Sequence, residues 1–237
     1  MAVPQLYTLL ILVTIFLTSA ASLKMNKTKL EKPKKVTLDI QNGKHKLFVD
    51  RTPFYINGAG LEFGDIAALA KHGGNSFRTW STENGQQTAK EVLDEAYKNG
   101  LMVTMGIEVG RERHGFDYND ETAVNTQYER IKRQVIALKE HPSLMIWAIG
   151  NELNLSYTDP RVWDAVNEIS KMIHQVDPNH LTTTTLAGIT QREVQLIKDR
   201  ASDLDILSIQ MYGELSSLRS EERRVGKECR SRWSPYH

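Results

Sequence analysis

One stretch of the chain gathers reactive side chains at the end of an apolar run. His141-Pro-Ser-Leu-Met-Ile-Trp-Ala-Ile-Gly-Asn-Glu-Leu-Asn154 reads as a buried strand that ends in Gly150, Asn151 and Glu152. Glycine lets the backbone turn closely there, and the next two side chains are an amide and a carboxyl. A carboxyl against an apolar wall keeps its proton more readily, because desolvation disfavours the charged form. Such a group suits general acid catalysis at a leaving oxygen, and the amide beside it could bond a hydroxyl. The same pair at a strand end also suits a helix cap. Spacing alone leaves both readings open.

Other polar residues fall at matching places. Arg78-Thr79-Trp80, Glu108 and Tyr212 each close a short apolar segment, and the segments alternate with helical ones. Strands are expected at 54–60, 75–80, 102–108, 144–151, 181–186 and 206–212. Gly73-Gly74 and Gly100 would close the first two helices with left-handed caps. The third helix, about 122–140, carries Val124, Tyr128, Ile131, Val135 and Leu138 at three-to-four spacing. Asp159-Pro160 would open the fourth, and Thr190 with Glu193 has capping-box spacing for the fifth. Upstream, Val36–Ile40 and Lys46–Val49 flank Asn42-Gly43, a hairpin signal.

Strand and helix in strict alternation give an α/β fold with a parallel sheet covered by helices. Eight-fold barrels place their chemistry at the carboxyl ends of the strands, and open sheets do so at the switch point. A full barrel has eight such units over typically ~250 residues. Six units are legible here, so the expected fold is an incomplete (β/α)8 TIM barrel preceded by a β-hairpin, over 36–218.

The 141–154 segment closely resembles the acid/base strand of glycoside hydrolase family 2 and its retaining relatives, and the resemblance extends over 36–212. Phe54-Tyr-Ile-Asn-Gly-Ala-Gly60 is similar to their first strand, Asn75-Ser-Phe-Arg-Thr-Trp80 to the second, and Ile209-Gln-Met-Tyr-Gly213 to the sixth. The resemblance implies hydrolysis of β-linked carbohydrates by two carboxylates. It makes Glu152 the acid/base and Asn151 the ligand of the sugar 2-hydroxyl, with Arg78 and Tyr212 holding the nucleophile carboxylate. The nucleophile itself ends a seventh strand in that family, and no such pattern follows 206–212. The chain as given is therefore expected to be inactive, and Glu214 lies too close to the sixth strand to substitute. Glu108 fits a sugar-binding or Arg78-pairing acid. Trp80 could stack on a sugar or merely pack, while Trp147 reads as core. His114, with Asp117 and Tyr118, could line a subsite or belong to a solvated loop.

Composition narrows the alternatives. The 30 Lys+Arg and 29 Asp+Glu nearly cancel, which argues against nucleic acid as partner. The single Cys excludes a disulfide framework, and no Cys/His cluster has zinc spacing, so no metal or cofactor is expected. Gly58-Ala-Gly-Leu-Glu-Phe-Gly64 approaches a dinucleotide fingerprint, but its third glycine is one position late and Arg78 stands where an acid is needed. A noncatalytic carbohydrate-binding module and a transglycosidase remain as rivals. The partner in every case is an oligo- or polysaccharide.

The two ends read differently from the middle. Residues 8–20 form an uncharged apolar run followed by Ala21-Ser22, so 1–22 is expected to be a signal peptide and the chain secreted or periplasmic. Its only membrane contact would be through that segment, with 23–35 a Lys-rich linker. The last segment, 219–237, lacks apolar periodicity and resembles the conceptual translation of a sequencing-library adapter, so it is kept out of the fold. Asn26-Lys-Thr28 and Asn154-Leu-Ser156 match the glycosylation acceptor pattern.

Overall fold

A computed structural model describes residues 31–41, 43–62, 64–82, 87–188 and 190–211. The expected signal peptide, most of the linker, Tyr212, Glu214 and the 219–237 segment lie outside them.

Two sheets are present among the described residues. The first is antiparallel, in the order β1 (Val36–Gln41), β2 (Lys44–Val49), β3 (Thr52–Pro53). Gln41 pairs with Lys44 across the expected turn, where Gly43 has φ +69°. The third strand was not legible. Asp50 and Arg51 join it with φ of +49° and +65°, the paired positive angles that suit a two-residue hairpin loop but that seldom fall on non-glycine residues.

The second sheet holds six parallel strands in chain order: β4 (Gly58–Gly60), β5 (Ser76–Arg78), β6 (Met102–Ile107), β7 (Leu144–Asn151), β8 (Leu181–Ala187) and β9 (Ile206–Gln210). Helices α1 (Ile66–Lys71), α2 (Ala89–Lys98), α3 (Glu121–Leu138), α4 (Arg161–Val176) and α5 (Gln191–Arg200) connect them. The sheet curls as part of a (β/α)8 barrel, as expected. Capping fixes the helix starts. Thr88 with Glu91 and Thr190 with Glu193 form complete capping boxes, and Asp120 accepts from the Thr122 and Ala123 N–H groups. For α4 the cap position falls on Pro160 rather than Asp159, although the Asp159 carboxylate still accepts the Arg161 N–H at 2.9 Å.

The first strand is shorter than its apolar pattern suggests. Ahead of Gly58, the Asn75 amide takes over the pairing: it donates to Tyr55 O at 2.6 Å and accepts from Asn57 N at 2.8 Å. A side chain replaces the ladder, so 54–57 stays outside the sheet.

The core has two parts. Between sheet and helices lie Trp147, Ile149, Trp163, Val166, Ile131 and Val135 with their neighbours. At the amino ends of the strands, the hairpin closes the barrel floor: Val36 packs on Met145 and Ile146, with Met102, Leu181 and Ile206 around them. The Val36 N–H donates to Asn179 O at 2.8 Å and fixes the hairpin to the α4–β8 turn. In that turn Asp177 accepts from Trp147 Nε1 at 2.8 Å and pairs with His180 at 2.8 Å, both partners of the pair being at most 1% exposed. Burial would raise the Asp177 carboxyl, but His180, Trp147 and the Asn179 N–H outweigh it and hold the group below the usual carboxylate range.

Asp177→Ala removes the carboxylate that faces His180 and accepts from Trp147, both in the interior. Removing one partner of a buried pair costs about 3–5 kcal/mol, which urea unfolding at pH 7 should show. The folded carboxyl titrates below its unfolded value, so its contribution stands above about pH 4 and fades as the pH falls through the folded value. The gap between wild type and variant should accordingly narrow in acid.

Candidate active site

The carboxyl rim is organised around one oxygen. Asn151 Oδ1 accepts from Arg78 Nη1 at 3.1 Å and from Gln210 Nε2 at 2.8 Å. The three residues end β5, β7 and β9, alternate strands of the sheet. Strands two apart are separated by about 9.5 Å in a flat sheet, so these side chains meet only because the sheet curls and they point into its concave face. Layers built from alternate strands are the way such barrels fill their interior. Both partners of the oxygen are donors, which fixes the amide orientation and turns its NH2 group to the other side.

The end of β7 is shaped by its backbone. The register shifts between Ala148 and Asn151, Gly150 has φ +74° and Glu152 has φ +54°. A Cβ on Gly150 would lie 2.5 Å from the Leu153 side chain, so only glycine fits there. A positive φ at glutamate is uncommon and costs on the order of 1–3 kcal/mol. The Glu152 N–H still donates to Thr185 O at 2.7 Å, which ties the turn to β8. The bulge re-aims Asn151 into the barrel and brings Glu152, half-buried, to the rim immediately after it.

Trp80 is seated beside this cluster. The Arg78 guanidinium stands 4.9 Å from the centre of its ring. A Cβ on Gly60 would approach the ring edge to 2.9 Å, and one on Gly106 would lie 2.4 Å from the Trp80 backbone. Two glycines on flanking strands thus make the space that Trp80 and its backbone occupy. Its ring remains partly exposed.

The remaining expectations divide. Glu108 is exposed on the same rim, but no ion pair joins it to Arg78; its carbonyl accepts from Arg130 Nη2 at 2.7 Å. His114 is exposed on a single 3-10 turn, Glu112–His114, where its backbone N–H donates to Arg111 O at 2.9 Å. Nothing draws it into the Asn151 cluster. Asp117 caps its own turn through Asn119 N at 2.8 Å. Tyr118 is neither rim nor solvated loop: it is 5% exposed, its hydroxyl donates to Gly110 O at 2.5 Å, and burial pushes the phenol upward. Trp147 is core, as its position in the strand implies. The Asn154 amide donates to Ala187 O at 3.1 Å and accepts from Ala187 N at 2.9 Å, so it is not presented for glycosylation. Tyr212 lies outside the described residues.

Three residues of the site were missed from the sequence. Gln210 had a signal: in a strand it shares a face with Tyr212, two residues on. Arg111 and Arg113 had none, because they act on backbone. Arg111 Nε donates to Asn151 O at 3.1 Å, and Arg113 Nη1 donates to Glu152 O at 2.6 Å.

A curled parallel sheet thus gathers an amide, an arginine and a carboxyl at its carboxyl rim, the arrangement of a partial (β/α)8 barrel. Residues 63–228 match the family described as glycosyl hydrolases family 2, TIM barrel domain, and the chain belongs to that family. Solved structures share the fold at low identity. A family 2 glycosyl hydrolase from Bacteroides cellulosilyticus is 18% identical, with a TM-score of 0.59 over 81% of this chain and 26% of its own. The β-glucuronidase 2 of Bacteroides uniformis, as a calcium-binding mutant, is 14% identical with a TM-score of 0.63 over 82% and 26%. The β-D-glucuronidase of Dictyoglomus thermophilum is 18% identical with a TM-score of 0.58 over 81% and 36%. The chain thus spans between 26% and 36% of the length of these structures.

The Gly106 packing is directly testable. Gly106→Ala forces the Thr79–Trp80 backbone away from β6, and overpacking of this kind costs about 1–3 kcal/mol. Denaturant unfolding should register the loss.

Proposed function

We propose that the chain forms the larger part of the catalytic domain of a retaining glycoside hydrolase acting on β-linked carbohydrates, secreted or periplasmic by its 8–20 apolar run. The observation that carries this reading is Asn151 clamped between Arg78 and Gln210 with Glu152 next in sequence on the rim. Family membership supports glycoside hydrolysis as the chemistry.

In this reading Glu152 is the acid/base. Its proton passes to the glycosidic oxygen as the bond to the anomeric carbon breaks, while a second carboxylate attacks the opposite face and forms a glycosyl-enzyme. Water then attacks that intermediate, and Glu152 takes back a proton. Retaining enzymes hold the two carboxyls about 5–5.5 Å apart. The NH2 group of Asn151 is assigned to the sugar 2-hydroxyl, where a bond can strengthen in the transition state. Arg78 and Tyr212 are assigned to the nucleophile. Trp80 offers a partly exposed ring to a sugar face, and Glu108 and His114 are assigned to the outer subsites.

The acid/base role predicts a dependence on leaving group. In the complete enzyme, Glu152→Ala should slow poor leaving groups far more than activated aryl glycosides, which need little protonation. Azide should restore the activated reaction and yield a β-glycosyl azide. Equal losses on both substrates without azide rescue would refute the assignment.

The nucleophile is assigned to a seventh strand, so the 237-residue chain by itself should not turn substrate over. Incubation with an activated aryl β-glycoside should release no phenol above background. Turnover abolished by Glu152→Ala would show instead that a carboxylate within this chain serves as nucleophile.

A further inference from the structure

The turn that displays Glu152 leaves backbone groups unpaired by the sheet. Once the chain departs from β7 with φ +54° at Glu152, the carbonyls of Asn151, Glu152 and Leu155 need other donors. Further on, the Thr158 and Asp159 N–H groups precede α4 and need acceptors. The segment Arg111-Glu112-Arg113, in the β6–α3 connection, supplies both kinds. Arg111 Nε donates to Asn151 O at 3.1 Å; Arg113 Nη1 donates to Glu152 O at 2.6 Å and to Leu155 O at 3.2 Å. Between them, the Glu112 carboxylate accepts from Asp159 N at 3.2 Å, from the Thr158 hydroxyl at 3.3 Å and from the Thr158 N–H. Cation, anion, cation along one turn therefore matches carbonyl and amide along the other.

This geometry points to Arg113 as a positioning residue for Glu152: its guanidinium locks the left-handed turn and so sets where the carboxyl stands relative to the leaving oxygen. The inference rests on the acid/base reading of Glu152.

Several observations converge on Arg113 rather than on its neighbours. It is the residue that bonds the Glu152 peptide itself, and one nitrogen bridges both ends of the 152–155 turn, in which Leu155 N also donates to Glu152 O at 3.2 Å. Burial and the nearby Arg111 pull its guanidinium below the usual range, against the attraction of the Glu152 carboxylate. Arg113 makes no ion pair within the described residues, and its Nη1 is committed to the two backbone carbonyls. A strained φ persists only where surroundings over-determine it, and here the surroundings are this bridge on one side and the Thr185 carbonyl on the other.

The test uses the complete enzyme with Arg113→Ala, Arg113→Lys and Glu152→Ala. A misplacement of about 1 Å can cost on the order of 10²-fold, so Arg113→Ala should lower kcat for a poor leaving group by about ten- to a hundredfold. Activated aryl glycosides should be much less affected, KM for both should stay near wild type, and Arg113→Lys should recover part of the loss. Amide hydrogen exchange over 151–158 reads the clamp without turnover and should quicken in Arg113→Ala and slow again in Arg113→Lys. Unchanged exchange would overturn the clamp whatever Glu152 does. Faster exchange with equal losses on both substrates, while Glu152→Ala still discriminates between them, would overturn the positioning role alone. A Glu152→Ala variant that does not discriminate would remove the acid/base reading and this inference with it.

Discussion

The rim depends on a single shared acceptor. Asn151 Oδ1 takes one hydrogen bond from a side chain two strands to one side and another from two strands to the other. An acceptor oxygen can serve both only if the sheet is curved enough to bring alternate strands within side-chain reach. Curvature, in turn, needs small residues where strands crowd: Gly60 and Gly106 leave space around Trp80, and Gly150 leaves space for Leu153. The polar contact and the glycines are thus two sides of one requirement. Either alone would leave a buried amide unsatisfied or a sheet too flat to form a cleft.

The apolar floor and the polar rim lie at opposite ends of the strands. The floor is apolar and closed by the hairpin, with Val36 on Met145 and Ile146. A buried Asp177–His180 pair and the Trp147 indole anchor the turn that receives the hairpin. These groups are nearly sealed from water, where a paired charge is hard to disturb without large cost. The rim is half-exposed, and its carboxyl, guanidinium and indole face solvent in part. Strain also collects there, at Glu152, whose φ is +54°. That strain is held by hydrogen bonds to Arg113 in the β6–α3 connection and to the Thr185 carbonyl of β8.

Much of this was legible in order. The alternation of apolar strands with capped helices gave six parallel units, and the buried run of β7 ended at the expected pair, Asn151 and Glu152. The Thr190–Glu193 capping box and the left-handed Gly73 and Gly100 stand as their spacing indicated. Local signals of this kind are legible because they concern residues within one turn or one strand. Errors appeared where a distant group replaced the local partner. The Asn75 side chain displaced ladder pairing and shortened the first strand, and Tyr118, read as lining a subsite or belonging to a solvated loop, was drawn into the core.

The sequence by itself determined the order of the elements, the strand that carries Glu152 and the amide before it, because hydrophobic period and turn chemistry are encoded locally. Only the tertiary structure decided which side chains meet. Gln210 lies 59 positions from Asn151, and Arg113 lies 39 from Glu152, yet each bonds the other directly. No local pattern marks an arginine that will donate to a backbone carbonyl on another loop, since every residue type presents the same carbonyl. That pairing is set by sheet curvature and by the bulge at the end of β7, which exist only once the strands have assembled.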